Sequence, residues 1–419
     1  MGASAGGGGG ARRRRRWLGY TAVGVGVVVF GAAGAGWAMY EKLSGNITSD
    51  NDAAAELARY EKERPTALVG DAQNILLIGS DSRSGDGNGK YGRDSGTERS
   101  DTTILLHLAA DRRSATAVSL PRDLMVDVPG CRRPDGGRTA PVFAMFNYAF
   151  QSGGSACTIR TVEKLTGIRI DHHVVVDFNG FKDMVDAVDG VEVCLSEPID
   201  DRAAKLKLPA GKVKLDGEQA LGYVRARKSI GDGSDTDRMD RQQRFLGALV
   251  NKVRGNDVLL NPVKLYPVLD AATSSLTTDP GLASLRGLYD LVRGMRNIPT
   301  ERVQFLTVPR EAYAYNANRD QLVEAEAEKL FEQLRRDAPL EVAEELPEDS
   351  GVKSGNAVPG REETPYEGGG EDAYDSSYDY EEESRGDEKP GVKRPDGPAG
   401  TPEPAPTFHG NTAAQDTCG

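Results

Sequence analysis

Residues 74–121 read NILLIGSDSRSGDGNGKYGRDSGTERSDTTILLHLAADRRSATAVSLP, and the fold is decided there. NILLIG (74–79) is an apolar run of strand length; TTILLHLA (102–109) is a second, and ATAVSLP (115–121) a third, reached through the tight turn ADRRS. If the three form an antiparallel meander, the end of the first, the start of the second and the end of the third share one end of the sheet. Asp81, Arg83, Arg99, Asp101, Arg122 and Asp123 all fall at that end. Two carboxylates among arginines suit a hard divalent cation, because Mg2+ takes one or two carboxylates and completes its shell with waters and substrate phosphates. Each aspartate alone reads better as a strand-end turn residue; the pair together carries the metal reading.

Downstream, LGYVRARKSIGDGSDTDRMDRQQRFL (221–246) holds five arginines and two glutamines at its two ends. Read as an extended strand, it sends Arg225 and Arg227 one way and Val224 and Ala226 toward the core. Ser234 or Asp235 is a good N-cap for the amphipathic helix that Phe245, Leu246, Leu249, Val250 and Val253 define. Arg238, Arg241 and Gln242 then share a face in its first turns, where free backbone N–H groups favour an anion. Guanidinium forks grip phosphate oxygens in pairs, so the segment reads as a phosphate site. The alternative is a solvated basic face paired with Asp235, Asp237 and Asp240.

NILLIGSDSR, RSDTTILLHL, SLPRD, NYAFQSGG and ALGYVRARKS...SDTDRMDRQQRFL occur in the order and spacing of the LytR-CpsA-Psr family of cell-envelope enzymes, which the chain resembles from residue 74 to at least 253 and on to about 336. The resemblance implies an α/β fold with a mixed central β-sheet sandwiched by helices. It implies a phosphotransferase that moves a glycopolymer, such as a teichoic acid, from a polyprenyl-pyrophosphate lipid onto a peptidoglycan hydroxyl as a phosphodiester. Carried over by motif, Asp81 and Asp101 are the metal pair for Mg2+ or Mn2+. Arg99, Arg122, Arg225, Arg227, Arg238 and Gln242 clamp the pyrophosphate, with Arg83 and Arg241 beside them. Arg99, Arg122, Asp123, Arg225 and Arg227 are the expected catalytic set, and Asp81 or Asp123 the candidate for assisting deprotonation. A prenyl tunnel is expected between the sheet and helices near 156–166 and 242–253. One position departs from the family pattern: Met145 stands where many members carry a lysine.

The ends of the chain place this chemistry. Residues 12–16 are all arginine, and 17–40 carry no charge, a length that spans a bilayer as a helix. Basic residues on the N-terminal side put that side in the cytoplasm and the catalytic region outside, as a single-pass membrane protein. A cleaved signal peptide is the rival reading, and it too exports the chain. Cys131 and Cys157 flank a long Gly/Pro-rich loop that a disulfide would staple; Cys194 is either a free thiol or paired to Cys418 in the tail. Residues 343–419 hold 19 acidic and 6 basic residues, more than the whole net charge of −12. With little to bury, that tail is expected to be disordered and removable without loss of core stability. The expected organisation is thus a cytoplasmic segment (1–16), a transmembrane helix (17–40), a stalk (41–70), a catalytic domain (71–342) and the acidic tail (343–419).

Other motifs exclude other functions. SGDGNGKY (84–91) lacks P-loop spacing, and the acidic run 232–240 lacks the terminal Glu of an EF-hand loop. His172 and His173 precede the strand VVVDF and face opposite sides; four histidines and no HExxH argue against zinc. GFKDMVDAVDG (180–190) reads as a structural helix stopped by Gly190. A nucleic-acid regulator finds no helix-turn-helix and no basic surface beyond the membrane-proximal arginines, so no nucleic acid is expected. Two readings remain beside the transferase: a hydrolase using water at the same site, and a non-enzymatic cell-surface protein. Arg319, outside both clusters, is expected to tolerate substitution.

Overall fold

Leu76, Leu105, Val118 and Leu306 stand side by side on four neighbouring strands, all with no solvent exposure. The computed structural model describes residues 9–80, 100–133, 135–202, 204–226, 235–255, 262–344 and 407–415. The chain opens with α1 (Gly9–Asn46), β1 (Thr48–Ser49), α2 (Asn51–Arg59), β2 (Gln73–Ser80), β3 (Ser100–Leu108), β4 (Ala115–Leu120), β5 (Met125–Val128) and β6 (Val142–Met145). Then come α3 (Asn147–Thr166), β7 (His172–Val176), α4 (Phe178–Ala187), β8 (Val191–Leu195), β9 (Ile199–Asp201), β10 (Leu206–Leu208), β11 (Gly211–Leu215), α5 (Gly217–Arg225) and α6 (Asp235–Gly255). It closes with α7 (Pro262–Ser275), β12 (Leu276–Thr278), α8 (Leu285–Met295), β13 (Val303–Thr307), β14 (Arg310–Tyr313), β15 (Asn316–Leu322), α9 (Glu324–Arg335), β16 (Glu341–Glu344) and β17 (Thr407–Thr412).

The central sheet runs β1-β12-β7-β2-β3-β4-β13-β17-β16 and is mixed: β2, β3 and β4 form the antiparallel meander, while β7 joins β2 and β13 joins β4 in parallel. Alternation along the strands builds two apolar faces. Leu76, Leu105, Val118 and Leu306 pack under α3 and α9 through Ile159, Val162, Leu330 and Phe331. One residue along, Ile75, Leu106, Ala117 and Phe305 are again in register and face the other layer, built from α6 and α8 with Leu246, Val250, Leu288 and Leu291. The sequence-predicted sandwich is therefore present.

Two expectations about organisation change. Residues 41–70 are not a separate stalk: Leu43 and Ile47 are buried, β1 pairs with β12, and α2 buries Ala53 and Leu57 in the main core. The acidic tail does not run to 419 outside the fold. β16 pairs with β17, β17 pairs with β13, and Phe408 and Ala413 are buried. A single apolar pair within the polar stretch TFHGNTAA left too little period-2 signal to betray a strand. The expected span 17–40 lies within α1, which continues unbroken for 38 residues; among the described residues no helix is long and apolar enough to cross a membrane.

Cys131 and Cys157 form the expected disulfide, tying the loop after β5 to α3. It sits against a kink where Gly153 and Gly154 leave helical geometry. A Cβ on Gly153 would lie 2.8 Å from the Arg132 carbonyl oxygen, and Gly154 holds φ +61°, so both positions require glycine. Cys194 is also disulfide-bonded, which removes the free-thiol alternative; its partner lies outside the described residues.

Candidate active site

At the end of the sheet where β2 stops and β3 starts, a cavity of about 660 Å3 opens between the sheet, α4, α5 and α6. One part of its wall is apolar, with Phe178, Phe181 and Met184 from α4 and Phe245, Leu246 and Leu249 from α6. The other part carries Asp101, Arg225, Arg238 and Gln242. Residues from the two sequence clusters, more than a hundred positions apart, thus line one space.

Each charged group reaches it by a definite local device. Asp101, the second residue of β3, sits at the irregularity where Gly79 pairs with Thr102 and Ser80 with Ser100. Arg225 ends α5, and here the strand reading of 221–227 is corrected: Gly217–Arg225 is helical. The signal was in the sequence, since Asp216 and Gln219 form a capping box, each side chain bonding the other's backbone N–H. Leu221, Gly222 and Arg225, at i, i+1 and i+4, then share the face that lines the cavity. The Arg225 guanidinium lies 4.5 Å from the centroid of the Phe178 ring, a cation–π contact that holds it over the apolar wall. Arg227 lies outside the described residues.

On α6 the three predicted residues divide. Arg238 and Gln242 line the cavity, Arg238 only 4% exposed, and Gln242 Nε2 donates to the Val224 carbonyl at 3.3 Å. Arg241 does not line it; its guanidinium donates to the Ala226 carbonyl and pins the end of α5. Burial pushes the Arg241 guanidinium below its ordinary value, with nearby Tyr223 and aspartates partly compensating. The prenyl-tunnel expectation is likewise half met. The 242–253 stretch supplies Phe245, Leu246 and Leu249, whereas 156–166 packs on the opposite face of the sheet, its place at the cavity taken by α4 and α5.

Arg122 and Asp123 extend the site outward instead of lining it. Arg122 Nη1 donates to Asp101 Oδ1 at 2.9 Å, and its Nε donates to Asp123 Oδ2 at 3.2 Å. Asp123 Oδ1 accepts from Arg319 Nη1 at 3.3 Å, and the same guanidinium touches Met145 Sδ. An alternating chain of four charges, Asp101–Arg122–Asp123–Arg319, therefore runs from the cavity to the β15 strand. Sequence reading set Arg319 outside both clusters, and this placement corrects it. Nothing local in NANRDQL marks Arg319; the pairing of β14 with β15 and the bridge between Leu124 and Asp320 bring it there. Asp81, Arg83 and Arg99 lie outside the described residues. Among the described residues no group of three His, Cys, Asp or Glu could hold a metal ion. One or two carboxylates suffice for a cation that also takes phosphate oxygens and waters, so Asp101 at the cavity wall fits such an ion without a cluster.

A mixed sheet between helical layers, with arginines and an aspartate at the head of an apolar cavity, defines the class, and the family follows. The chain belongs to the LytR_cpsA_psr family, whose profile matches residues 43–336. It is 36% identical over 292 residues to a probable cell wall biosynthesis protein, LcpB, of Corynebacterium glutamicum, covering 68% of this chain and 66% of that one. It is 27% identical over 327 residues to the polyisoprenyl-teichoic acid–peptidoglycan teichoic acid transferase TagT of Bacillus subtilis, covering 75% of this chain and 93% of that one. For LcpB and the cell wall biosynthesis protein LcpA of the same organism the chain spans 66% and 50% of the relative's length. Among solved structures, B. subtilis TagV matches with a TM-score of 0.51 and 23% identity over 64% of this chain and 98% of that one, a likeness of fold alone.

Proposed function

We propose that the protein is an extracytoplasmic phosphotransferase that moves a glycopolymer from a polyprenyl-pyrophosphate carrier onto a peptidoglycan hydroxyl. The carrying observation is the two-part wall of the 660 Å3 cavity: Arg225, Arg238 and Gln242 on one side, which would take an anionic head, and Phe181, Phe245 and Leu249 on the other, which would take a hydrocarbon chain. Burying each methylene contributes about 0.8 kcal/mol, so the apolar wall holds the lipid while the guanidiniums hold the pyrophosphate. The names of TagT and other relatives, which specify polyisoprenyl-linked teichoic acid and peptidoglycan, support the donor and acceptor classes.

In this reading the acceptor hydroxyl attacks the phosphorus nearer the glycopolymer. The bond to the lipid phosphate breaks, and that phosphate leaves with the prenyl chain. Arg225 and Arg238 stabilise the charge that builds on the transferred oxygens. Asp101, with Asp81, would hold a Mg2+ or Mn2+ ion, which when bound neutralises the pyrophosphate. Asp123 accepts from two guanidiniums and stands off the cavity wall, so it orients Arg122 and is not the proton acceptor. Of the two aspartates that the sequence offered for that task, Asp81 is left.

The residues before the domain support a membrane anchor. Val27, Val29, Phe30, Trp37 and Met39 of α1 are exposed apolar side chains that a bilayer would cover. Beyond them Lys42 meets Asp270 at 3.0 Å, and the helix joins the domain. The disulfides fit the oxidising side of the membrane.

Arg238→Leu tests the reading. Transfer of a short-chain prenyl-pyrophosphate-linked sugar to peptidoglycan is expected to fall roughly a hundredfold, about 3 kcal/mol of transition-state stabilisation. Wild-type transfer by this variant would refute the site; phosphate release without dependence on acceptor would mark a hydrolase instead.

A further inference from the structure

No residue of α8 is buried, although its sequence LRGLYDLVRGM (285–295) is that of a strongly amphipathic helix. At about 100° of rotation per residue, Leu288, Leu291 and Met295 share one side, and they pack on Ile75, Leu108 and Ala115 of the sheet. Val292, Leu285 and Tyr289 continue the apolar arc past that contact and out into solvent, Tyr289 60% exposed and Val292 45%. Arg293, Arg286 and the C-cap Arg296, all exposed, border the arc, and the helix's single acid, Asp290, lies beyond them. Packing on the sheet uses only about half of this arc. The other half, an apolar stripe rimmed by arginines, has the make-up of a helix that lies in a membrane interface.

The place of α8 in the fold says what covers that stripe. Ile75 lies near the start of β2, Leu108 ends β3 and Ala115 starts β4, so α8 crosses the end of the sheet opposite the candidate active site. The anchor helix comes from the same end. Lys42 meets Tyr266 and Asp270, and Asn46 meets Asp270 and Thr273, so α1 runs parallel to α7. α7 in turn leads into β12 at Leu276, which pairs with Val176 beside the end of β2. Both helices therefore run toward the active-site end, and the earlier turns of α1, with Val27, Phe30 and Trp37 exposed, extend away from it, where α1 comes alongside α8. α6 has the opposite sense: Arg238 and Gln242 stand in its opening turns, Leu249 lies two turns on, and Arg254 in its last turn donates to the Ile298 carbonyl just past α8. The apolar part of the active-site cavity thus lies nearer the α8 end than the charged part.

We propose that α8 is a second membrane contact. It lies in the plane of the interface beside the anchor, with Leu285, Tyr289 and Val292 among the acyl chains and Arg286, Arg293 and Arg296 on anionic phospholipid headgroups. This contact fixes the domain's tilt, so that the apolar end of the cavity faces the leaflet. The inference rests on the anchor reading and not on the transferase chemistry.

The test uses the full chain reconstituted into vesicles of phosphatidylcholine and phosphatidylglycerol. Flotation reads the anchor, and quenching by brominated phosphatidylcholine reads α8. Trp17→Phe and Trp37→Phe remove the chain's two tryptophans, so that Tyr289→Trp places a single reporter on the stripe. Tyr315→Trp is the control, 88% exposed in the turn between β14 and β15, a hairpin that bridges to Leu124 at the active-site end of the sheet. Bromolipid is expected to quench the Tyr289→Trp emission roughly twofold or more and to leave the Tyr315→Trp emission unchanged. Combining Arg286→Glu, Arg293→Glu and Arg296→Glu, all at exposed positions, is expected to lower that quenching while the melting temperature in detergent is kept. Vesicle-bound protein whose Tyr289→Trp emission is unquenched, or quenched alike after the charge reversal, would overturn the α8 assignment and leave the anchor standing. A chain that does not float with the vesicles would reject the anchor and this inference with it.

Discussion

Replacing Arg319 with alanine removes the outer charge of the chain Asp101–Arg122–Asp123–Arg319, and its effect follows from the geometry. Asp123 loses a contact of 3.3 Å and keeps only the Arg122 Nε at 3.2 Å. A hydrogen bond between charged groups contributes roughly 1.5–3 kcal/mol when shielded. The Arg319 side chain is 31% exposed and that of Asp123 20%, so solvent screening reduces the stability loss to about 1 kcal/mol. The catalytic consequence passes through Arg122. With Arg319 gone, Asp123 draws Arg122 toward itself and away from Asp101, at the cavity wall. A cost of about 1.5 kcal/mol in the transition state lowers kcat/KM roughly tenfold. The assay is acceptor-dependent transfer, with kcat and KM separated, beside thermal melting. In a double-mutant cycle Arg319→Ala and Asp123→Asn should fall short of additivity, because the second change removes the partner the first strands. Wild-type kcat/KM for Arg319→Ala, or full additivity with Asp123→Asn, would show that the ion chain has no part in positioning Arg122.

The Cys131–Cys157 disulfide spans 26 residues, so replacing both cysteines with serine should cost about 3.5 kcal/mol, read from denaturant midpoints; an unchanged midpoint contradicts this. Asp50 is opposed by burial, which would raise its pKa, yet hydrogen bonds from His173, Ser155 and the Ala53 N–H hold it at about 2 against an ordinary 3.8. Its contribution, roughly 2 kcal/mol at most, is present above pH ~4 and lost as pH falls toward ~2. The melting temperatures of Asp50→Asn and wild type should therefore converge in acid, and a gap that widens there rejects the assignment. Deleting residues 406–419 strips β17 from between β13 and β16 and exposes the contacts of Phe408. Melting should fall by roughly 5 °C or more, for about 2–3 kcal/mol of lost burial. The free-tail expectation gives no change.

What was legible in the sequence was whatever rested on short-range period. The meander, the β7 and β13 strands, the α4 helix stopped by Gly190 at φ +74° and the α6 helix all announce themselves in windows of a few residues. Arg225 shows the limit. Alternating RAR after an apolar run imitates a strand, and only the capping box at Asp216 and Gln219, nine and six residues before Arg225, identifies the helix. Arg319 shows another limit, because its place beside Asp123 depends on how a distant hairpin lies on β5, and no local pattern encodes that. β17 shows a third: a strand that buries one large residue is too weak a signal against an acidic background.

Arg238 explains why the site had to be assembled from afar. A guanidinium only 4% exposed, in the opening turns of a helix whose positive dipole end disfavours cations, costs the fold free energy that an apolar residue would not. Arg238→Leu, which fills similar space but strands the groups Arg238 interacts with, should lower the ligand-free melting temperature by only a few degrees while transfer falls roughly a hundredfold. If it instead melted lower by as much as activity fell, Arg238 would be a structural ion-pair member, and the charged half of the cavity would lose its strongest claim to a bound anion. The divergence of the two measurements separates a residue retained for its ligand from one retained for the fold.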